Sequence, residues 1–268
     1  MRGLLDAVLT ASLKDAAKEQ GLERLGTLLA GIVPDISGQY TTFRVDTPYL
    51  ERKVRNMHAF QISLVNDVLE KYEKATIVDI GDSAGSHLYY ILQMNAGKKD
   101  LKCVGVNLDA KAVEKIKARG LTAINARAED LHKHDIKADI FLCYETLEHI
   151  ADPCNFLHSL SSNTNARYMV VTVPYVRRSR AGLHHIRAGR RTPVSAENTH
   201  IFELSPEDLK LIARHSGWKI AKEKIYLQYP RWSLLRSTQP LWKSMDFEGF
   251  YGLVLEKDDT WSSLYKDW

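Results

Sequence analysis

Hydrophobic positions in residues 1–33 recur at helical spacing through Leu22, Leu25 and Leu28, and Asp6 interrupts the short apolar stretch that could pass for a secretory leader. The pattern predicts an amphipathic packing helix. Residues 34–48, opened by Pro34 and closed by Pro48, read as a loop, and 49–73 as a second long amphipathic helix. From Ala75 short β-branched runs alternate with helical stretches, the mark of parallel βαβ units. Strands are expected at Thr76–Ile80, Lys102–Asn107, Thr122–Asn125, Asp139–Tyr144 and Tyr168–Val173, with helices at His87–Met94, Ala110–Arg119 and Pro153–Ser161. Ser-Pro-Glu-Asp at 205–208 combines a cap, a first-turn proline and acids over the positive end of a helix dipole; Gly217 ends that helix. Two last strands are expected near Ile220–Tyr229 and Phe250–Glu256.

The expected fold is therefore α/β: a doubly wound, mostly parallel seven-stranded sheet with N-terminal helices. Residues 1–74 form a helical cap or interface segment, and 75–268 the main domain, with an insertion at 230–249. Trp232, Trp242 and Phe247 in that insertion have three roles open to them: closing over a substrate, joining two copies in a homodimer, or packing into the core.

Composition narrows the class without naming it. With 44% hydrophobic and 26% charged residues, and no apolar run near the ~18 residues of a span, no membrane crossing is expected. Cys103, Cys143 and Cys154 fit neither a disulfide framework nor a zinc motif, which points to a reducing compartment and a cytoplasmic location. The net charge of +4 is mild, and a nucleic-acid partner is not expected from it.

In such a sheet, ligands bind beyond the carboxyl ends of the strands, where strand order reverses. The first strand ends Val-Asp-Ile-Gly-Asp-Ser-Ala-Gly (78–85), with small residues that let backbone approach a ligand, and the second ends Gly-Val-Asn-Leu-Asp (105–109). A nicotinamide dinucleotide site would need G-x-G-x-x-G, which is absent.

Together with Ala-Glu-Asp-Leu (128–131), Tyr-Glu-Thr-Leu-Glu-His-Ile (144–150), Val-Thr-Val-Pro (171–174) and His-Ile-Phe-Glu-Leu-Ser-Pro-Glu-Asp-Leu (200–209), these segments make residues 75–220 resemble class I S-adenosylmethionine (SAM)-dependent methyltransferases, in particular the group with the ubiquinone-biosynthesis O-methyltransferases. The resemblance implies a SAM site. Asp79, Gly81, Ser83 and Gly85 would surround the methionine portion, Asn107 and Leu108 the ribose, and Ala128 and Glu129 the adenine, with Tyr144 completing the set. Three positions depart from the family pattern: Ser83 replaces a glycine, Asn107 the acid that usually takes the ribose diol, and Arg127 an acid before Ala128.

Glu145, Glu148 and His149 follow the fourth strand at i, i+3 and i+4, so one helical turn would aim all three at the crevice. With His200, 51 residues on, the set is similar to the magnesium site of small-RNA 2′-O-methyltransferases. Glu145, Glu148, His149 and His200 are thus candidate ligands for a divalent metal (Mg, Mn or Zn), which would activate a hydroxyl such as that of a vicinal diol or catechol. Without metal, Glu145, His149 and His200 remain the catalytic candidates, a histidine serving as general base. The plainer alternative is that the glutamates line the crevice and His149 packs.

Six arginines fall between 177 and 191, beside the pair His184 and His185. A solvated basic loop is the ordinary explanation, but its place after the fifth strand makes Arg187, Arg190 and Arg191 candidates for gripping an anionic acceptor. No aromatic residue interleaves the run, as RNA binding would want. The expected function is SAM-dependent methylation of an oxygen on a small metabolite or saccharide unit. The alternatives are a metal-dependent RNA 2′-O-methyltransferase and a non-catalytic scaffold of the same fold that partners an active enzyme.

Overall fold

Gly21, at a φ of 73°, divides the single expected N-terminal helix in two in the computed structural model, which describes residues 2–134, 136–245 and 247–265. The pieces are α1 (Arg2–Glu19) and α2 (Glu23–Ile32). α3 (Pro48–Leu69) opens with Pro48 in its first turn and the Thr47 hydroxyl accepting the Leu50 N–H. No helix among the described residues is long and apolar enough to cross a membrane.

The seven expected strands form one sheet in the order β3-β2-β1-β4-β5-β9-β8. In chain order they are β1 (Lys74–Ile80), β2 (Asp100–Asn107), β3 (Thr122–Asn125), β4 (Ile140–Tyr144), β5 (Tyr168–Pro174), β8 (Trp218–Leu227) and β9 (Gly249–Lys257). β1 to β5 are paired in parallel, and β9 runs antiparallel to both β5 and β8. Because β2 lies on one side of β1 and β4 on the other, strand order reverses between β1 and β4, and a crevice opens at their carboxyl ends.

Each sheet face is covered by helices whose apolar residues alternate with polar ones at helical spacing. α2, α3, α4 (Ser86–Met94) and α5 (Ala110–Ala118) share one core cluster, centred on Leu29, Phe60, Leu88 and Ile116. α6 (Pro153–Asn163) and α8 (Pro206–His215) share the other through Leu157 and Leu209. The expected Ser205 cap forms, accepting the Asp208 N–H, and Asp152 likewise caps α6 by accepting the Asn155 N–H.

Two pieces were not expected. Arg180–Ala181 (β6) and Phe202–Glu203 (β7) pair as an antiparallel ribbon outside the main sheet, carrying α7 (His184–Arg187) between them. Within the 230–249 insertion, α9 (Gln239–Ser244) buries Trp242 fully against Leu9 and Leu13, and its indole N–H donates to Ser12 Oγ at 3.2 Å. Trp242 is thus a core residue, whereas Trp232 is 86% exposed.

α3 crosses β9 at Gly252, where an added Cβ would fall 2.4 Å from Leu64 Cδ1 and 2.9 Å from Phe60 Cζ. The missing side chain sets how closely α3 lies on the sheet. Gly252→Ala is expected to cost roughly 1–3 kcal/mol by overpacking. A lowered urea midpoint with an unchanged slope is the expected signature; an unchanged midpoint would show that α3 has room to move.

Candidate active site

A cavity of about 370 Å³ occupies the crevice. Gly81 and Ser83 line it from the turn after β1, Asn107 and Leu108 from the end of β2, and Ala128 and Glu129 from the segment after β3. Glycine is required at 81: its φ is 88°, and a Cβ there would fall 2.1 Å from Thr146 Oγ1, which bonds the carbonyls of Ile80 and Tyr144. Asp82 shapes the same turn by accepting the N–H groups of Ala84 and Gly85 at 3.2 and 2.6 Å. Burial pushes its carboxyl up to about 7.

Asp79, Gly85 and Tyr144 lie behind the wall and do not line the cavity, unlike the other expected cofactor residues. Asp79 is buried against His87 Nδ1 at 3.2 Å, Gly85 backs onto Leu121, and the Tyr144 hydroxyl donates to the Gln61 carbonyl of α3. The side chains here form a chain. Gln61 Nε2 donates to Thr172 Oγ1, so Gln61 Oε1 faces His87 Nε2 at 2.9 Å and requires a proton on that nitrogen. His87 Nδ1 is then an acceptor, and Asp79 is the protonated donor. Burial drives both groups that way, raising Asp79 well above the carboxylate range and lowering His87 to about 4. Thr172 in turn donates to Glu145.

After β4 the expected single helical turn does not form. Glu145 instead takes a left-handed conformation, φ 49°, and a 3-10 turn covers Leu147–His149. Left-handed backbone at a non-glycine residue costs about 1–2 kcal/mol. The two glutamates meet different partners. Glu145 turns toward Thr172 and Lys53, while Glu148, His149 and His200 bring ligand atoms within 4.8 Å of one another. Burial pushes Glu145 up to about 8, and burial with the neighbouring Glu145 raises Glu148 well above its ordinary value. Glu145 Oε1 and Glu148 Oε2 are buried without a hydrogen-bond partner among the described residues.

The two histidines are held from behind. His149 Nδ1 donates to the carbonyls of Ala196 and Thr199 at 3.0 and 3.1 Å, and His200 Nδ1 donates to Glu203 at 2.8 Å. Both protons therefore sit on Nδ1, leaving the Nε2 lone pairs for a ligand or a proton. His149 is lowered by burial and by His200. Glu203 also receives Arg180 at 2.5 Å and His184 at 2.9 Å; although burial pushes its carboxyl up, these three donors hold it well below the usual range. One unpartnered carboxylate oxygen and two imidazole lone pairs fit a divalent ion.

The arginine expectation needs correction. None of Arg187, Arg190 and Arg191 lines the cavity: Arg187 donates to the carbonyls of Ala181 and Gly182, and the other two are exposed. The ribbon turns that segment back on itself. Lys53 of α3 instead puts its ammonium 3.9 Å over the Phe247 ring, and both line the cavity with Tyr40 and Phe43. Burial lowers Lys53 to about 8, with Glu145 opposing. Its only sequence signal is a charge beside the buried stripe of α3. Glu197, also at the wall, was hidden in an irregular stretch.

Residues 53–223 match a family model for a methyltransferase domain. The chain belongs to the methyltransferase-domain family. Among curated proteins no sequence match is found. Solved methyltransferase folds resemble it at low identity. A protein proposed as a sarcosine dimethylglycine methyltransferase from Galdieria sulphuraria is 11% identical, with a TM-score of 0.57 over 79% of this chain and 88% of that one. The 1,6-didemethyltoxoflavin-N1-methyltransferase of Burkholderia thailandensis, solved with S-adenosylhomocysteine, is 12% identical, with a TM-score of 0.52 over 76% and 79%. The [4+2]-cyclase SpnF is 15% identical, with a TM-score of 0.54 over 91% and 97%. Likeness at this level shows the methyltransferase fold and leaves the reaction to the site.

The buried acids make stability pH-dependent in a defined direction. A carboxyl whose folded pKa is raised keeps its proton after the unfolded chain has lost it, so stability falls as pH rises toward the folded value. His58, His87 and His149, all lowered, act oppositely, but only below the unfolded histidine value near 6.5. Between pH 6.5 and 8, Asp82 and Glu145 still titrate, and Lys53, lowered to about 8, opposes them only at the top of that window. Each contributes at most about 1.4 kcal/mol per pH unit. The metal-free protein should therefore melt several degrees lower at pH 8 than at pH 6.5, and a flat or rising melting curve would contradict the burial of these carboxyls.

Proposed function

We propose that the chain is a SAM-dependent O-methyltransferase whose acceptor is a small hydroxylated molecule. The observation that carries this reading is the meeting of Glu148, His149 and His200 at the wall of the cavity that Gly81, Ser83 and Asn107 also line. SAM, when bound, supplies an electrophilic methyl group, and the acceptor oxygen must lose its proton or become more anionic to receive it. Gly81 and Ser83 leave room beside the backbone, and Leu108, Ala128 and Glu129 border the nucleoside end.

At the acceptor end the chain offers two imidazole lone pairs and a buried carboxylate, a set able to hold a divalent ion that would lower the pKa of a coordinated hydroxyl. The Nδ1 bonds to Ala196, Thr199 and Glu203 fix both rings for that task. Lys53 and the rings of Tyr40, Phe43 and Phe247 favour a planar acceptor with anionic character, such as a catechol or another vicinal diol. Arg187, Arg190 and Arg191 contribute nothing at the wall, so their recognition of a phosphate chain is not part of this reading.

Two measurements test it. Calorimetry should show SAM binding to the wild-type protein, and Gly81→Val should abolish it; no binding by the wild type would leave a methyltransferase-fold scaffold. Titration with Mn²⁺ should give one site, weakened by either Glu148→Ala or His149→Ala at least as much as the ~10–100-fold that loss of an outer-shell partner costs. In transfer assays with catechol acceptors, chelator should remove methylation and added Mg²⁺ or Mn²⁺ restore it. Full activity in chelator, with one histidine substitution dominating the loss of kcat, would replace the ion by a histidine base.

A further inference from the structure

An acid at the end of the second strand ordinarily accepts the ribose hydroxyls of an adenosine cofactor, because a carboxylate takes two hydroxyl donors at once. Here that place holds Asn107, and its amide is already committed. Asn107 Nδ2 donates to the Asp82 carbonyl at 3.0 Å, and Oδ1 accepts the Asp109 N–H at 2.7 Å. Nor is the nearby Asp109 available, because it caps α5 through the Lys111 N–H and does not line the cavity. The carboxylate that does reach the spot comes from 90 residues further along the chain. Glu197, on the 3-10 turn Ala196–Asn198, lines the cavity and lies within hydrogen-bonding reach of the Asn107 amide and the Thr41 hydroxyl.

We infer that Glu197 is the ribose-binding residue, delivered to the end of β2 by the β6–β7 ribbon segment in place of the missing strand-end acid. The inference rests on the cavity being a SAM site. Asn107 then acts as a positioning residue: with one amide proton on Asp82, its other orients Glu197. The turn carries a second duty. The carbonyls on either side of Glu197, those of Ala196 and Thr199, are the acceptors of His149 Nδ1, and the next residue is His200. The segment that holds the nucleoside is therefore the one that orients both histidines.

The test is a cycle of two ligands and two proteins, read by calorimetry. S-adenosylhomocysteine and its 2′-deoxyribose analogue are titrated into wild type and Glu197→Gln, a near-isosteric change on a partly exposed turn. Wild type should bind the deoxy analogue at least tenfold more weakly than S-adenosylhomocysteine, Glu197→Gln should lose a similar factor with the full ligand, and the two losses should not add. Glu197→Asp should keep part of the discrimination between the ligands. Equal S-adenosylhomocysteine affinity in wild type and Glu197→Gln, or an undiminished deoxy penalty in the variant, overturns the assignment while leaving the cavity a SAM site. A wild type that binds neither ligand removes the SAM reading and the assignment together.

Discussion

Two carboxyl groups, those of Glu145 and Glu148, are withdrawn from water within three residues of each other at the end of β4, and each leaves an oxygen without a partner among the described residues. Burying such groups ionised is expensive, and like charges side by side add to the cost. The neighbourhood answers in three ways. Burial holds both groups toward their neutral forms, Lys53 and Thr172 meet the first, and two imidazoles flank the second. A site that only needed stability would place apolar residues here.

The support for this arrangement comes from deep in the fold. Asp79, His87, Gln61 and Thr172 form a chain whose donors all point one way, from the end of β1 to the Glu145 carboxyl. Each member sits on a different element, so the chain ties β1, α4, α3 and β5 together with directional bonds where apolar contacts alone would permit sliding. Asp79 thereby has structural work in this protein. Its burial explains why an aspartate can stand in the expected cofactor motif without reaching the cavity.

Much of this was legible from residue pattern alone, and the limits have physical causes. β3 matches its expected bounds, all seven strands of the sheet are present, and Ser205 caps α8, because these depend on periodicity and local backbone chemistry. Glu148 and His149 could be nominated from their spacing after the fourth strand, and His200 only through the resemblance to a family metal site. Lys53 could not, since helical spacing reports which face is buried and not which flank borders a cavity. The fate of the arginines was hidden for another reason. Charge density along a chain says nothing of how a short ribbon such as β6–β7 folds back to satisfy it, and Arg187 meets carbonyls of its own loop.

Glu203 shows how far the working surface of such a site extends. It is 5% exposed, does not border the cavity, and still gathers Arg180, His184 and His200 on one carboxylate. In a mutational scan this position would score like a ligand-contacting residue, intolerant even of glutamine, although no small molecule would ever touch it. Maps of tolerated substitutions drawn for this chain would therefore outline a patch larger than its pocket, and a footprint inferred from them would overstate the size of the acceptor.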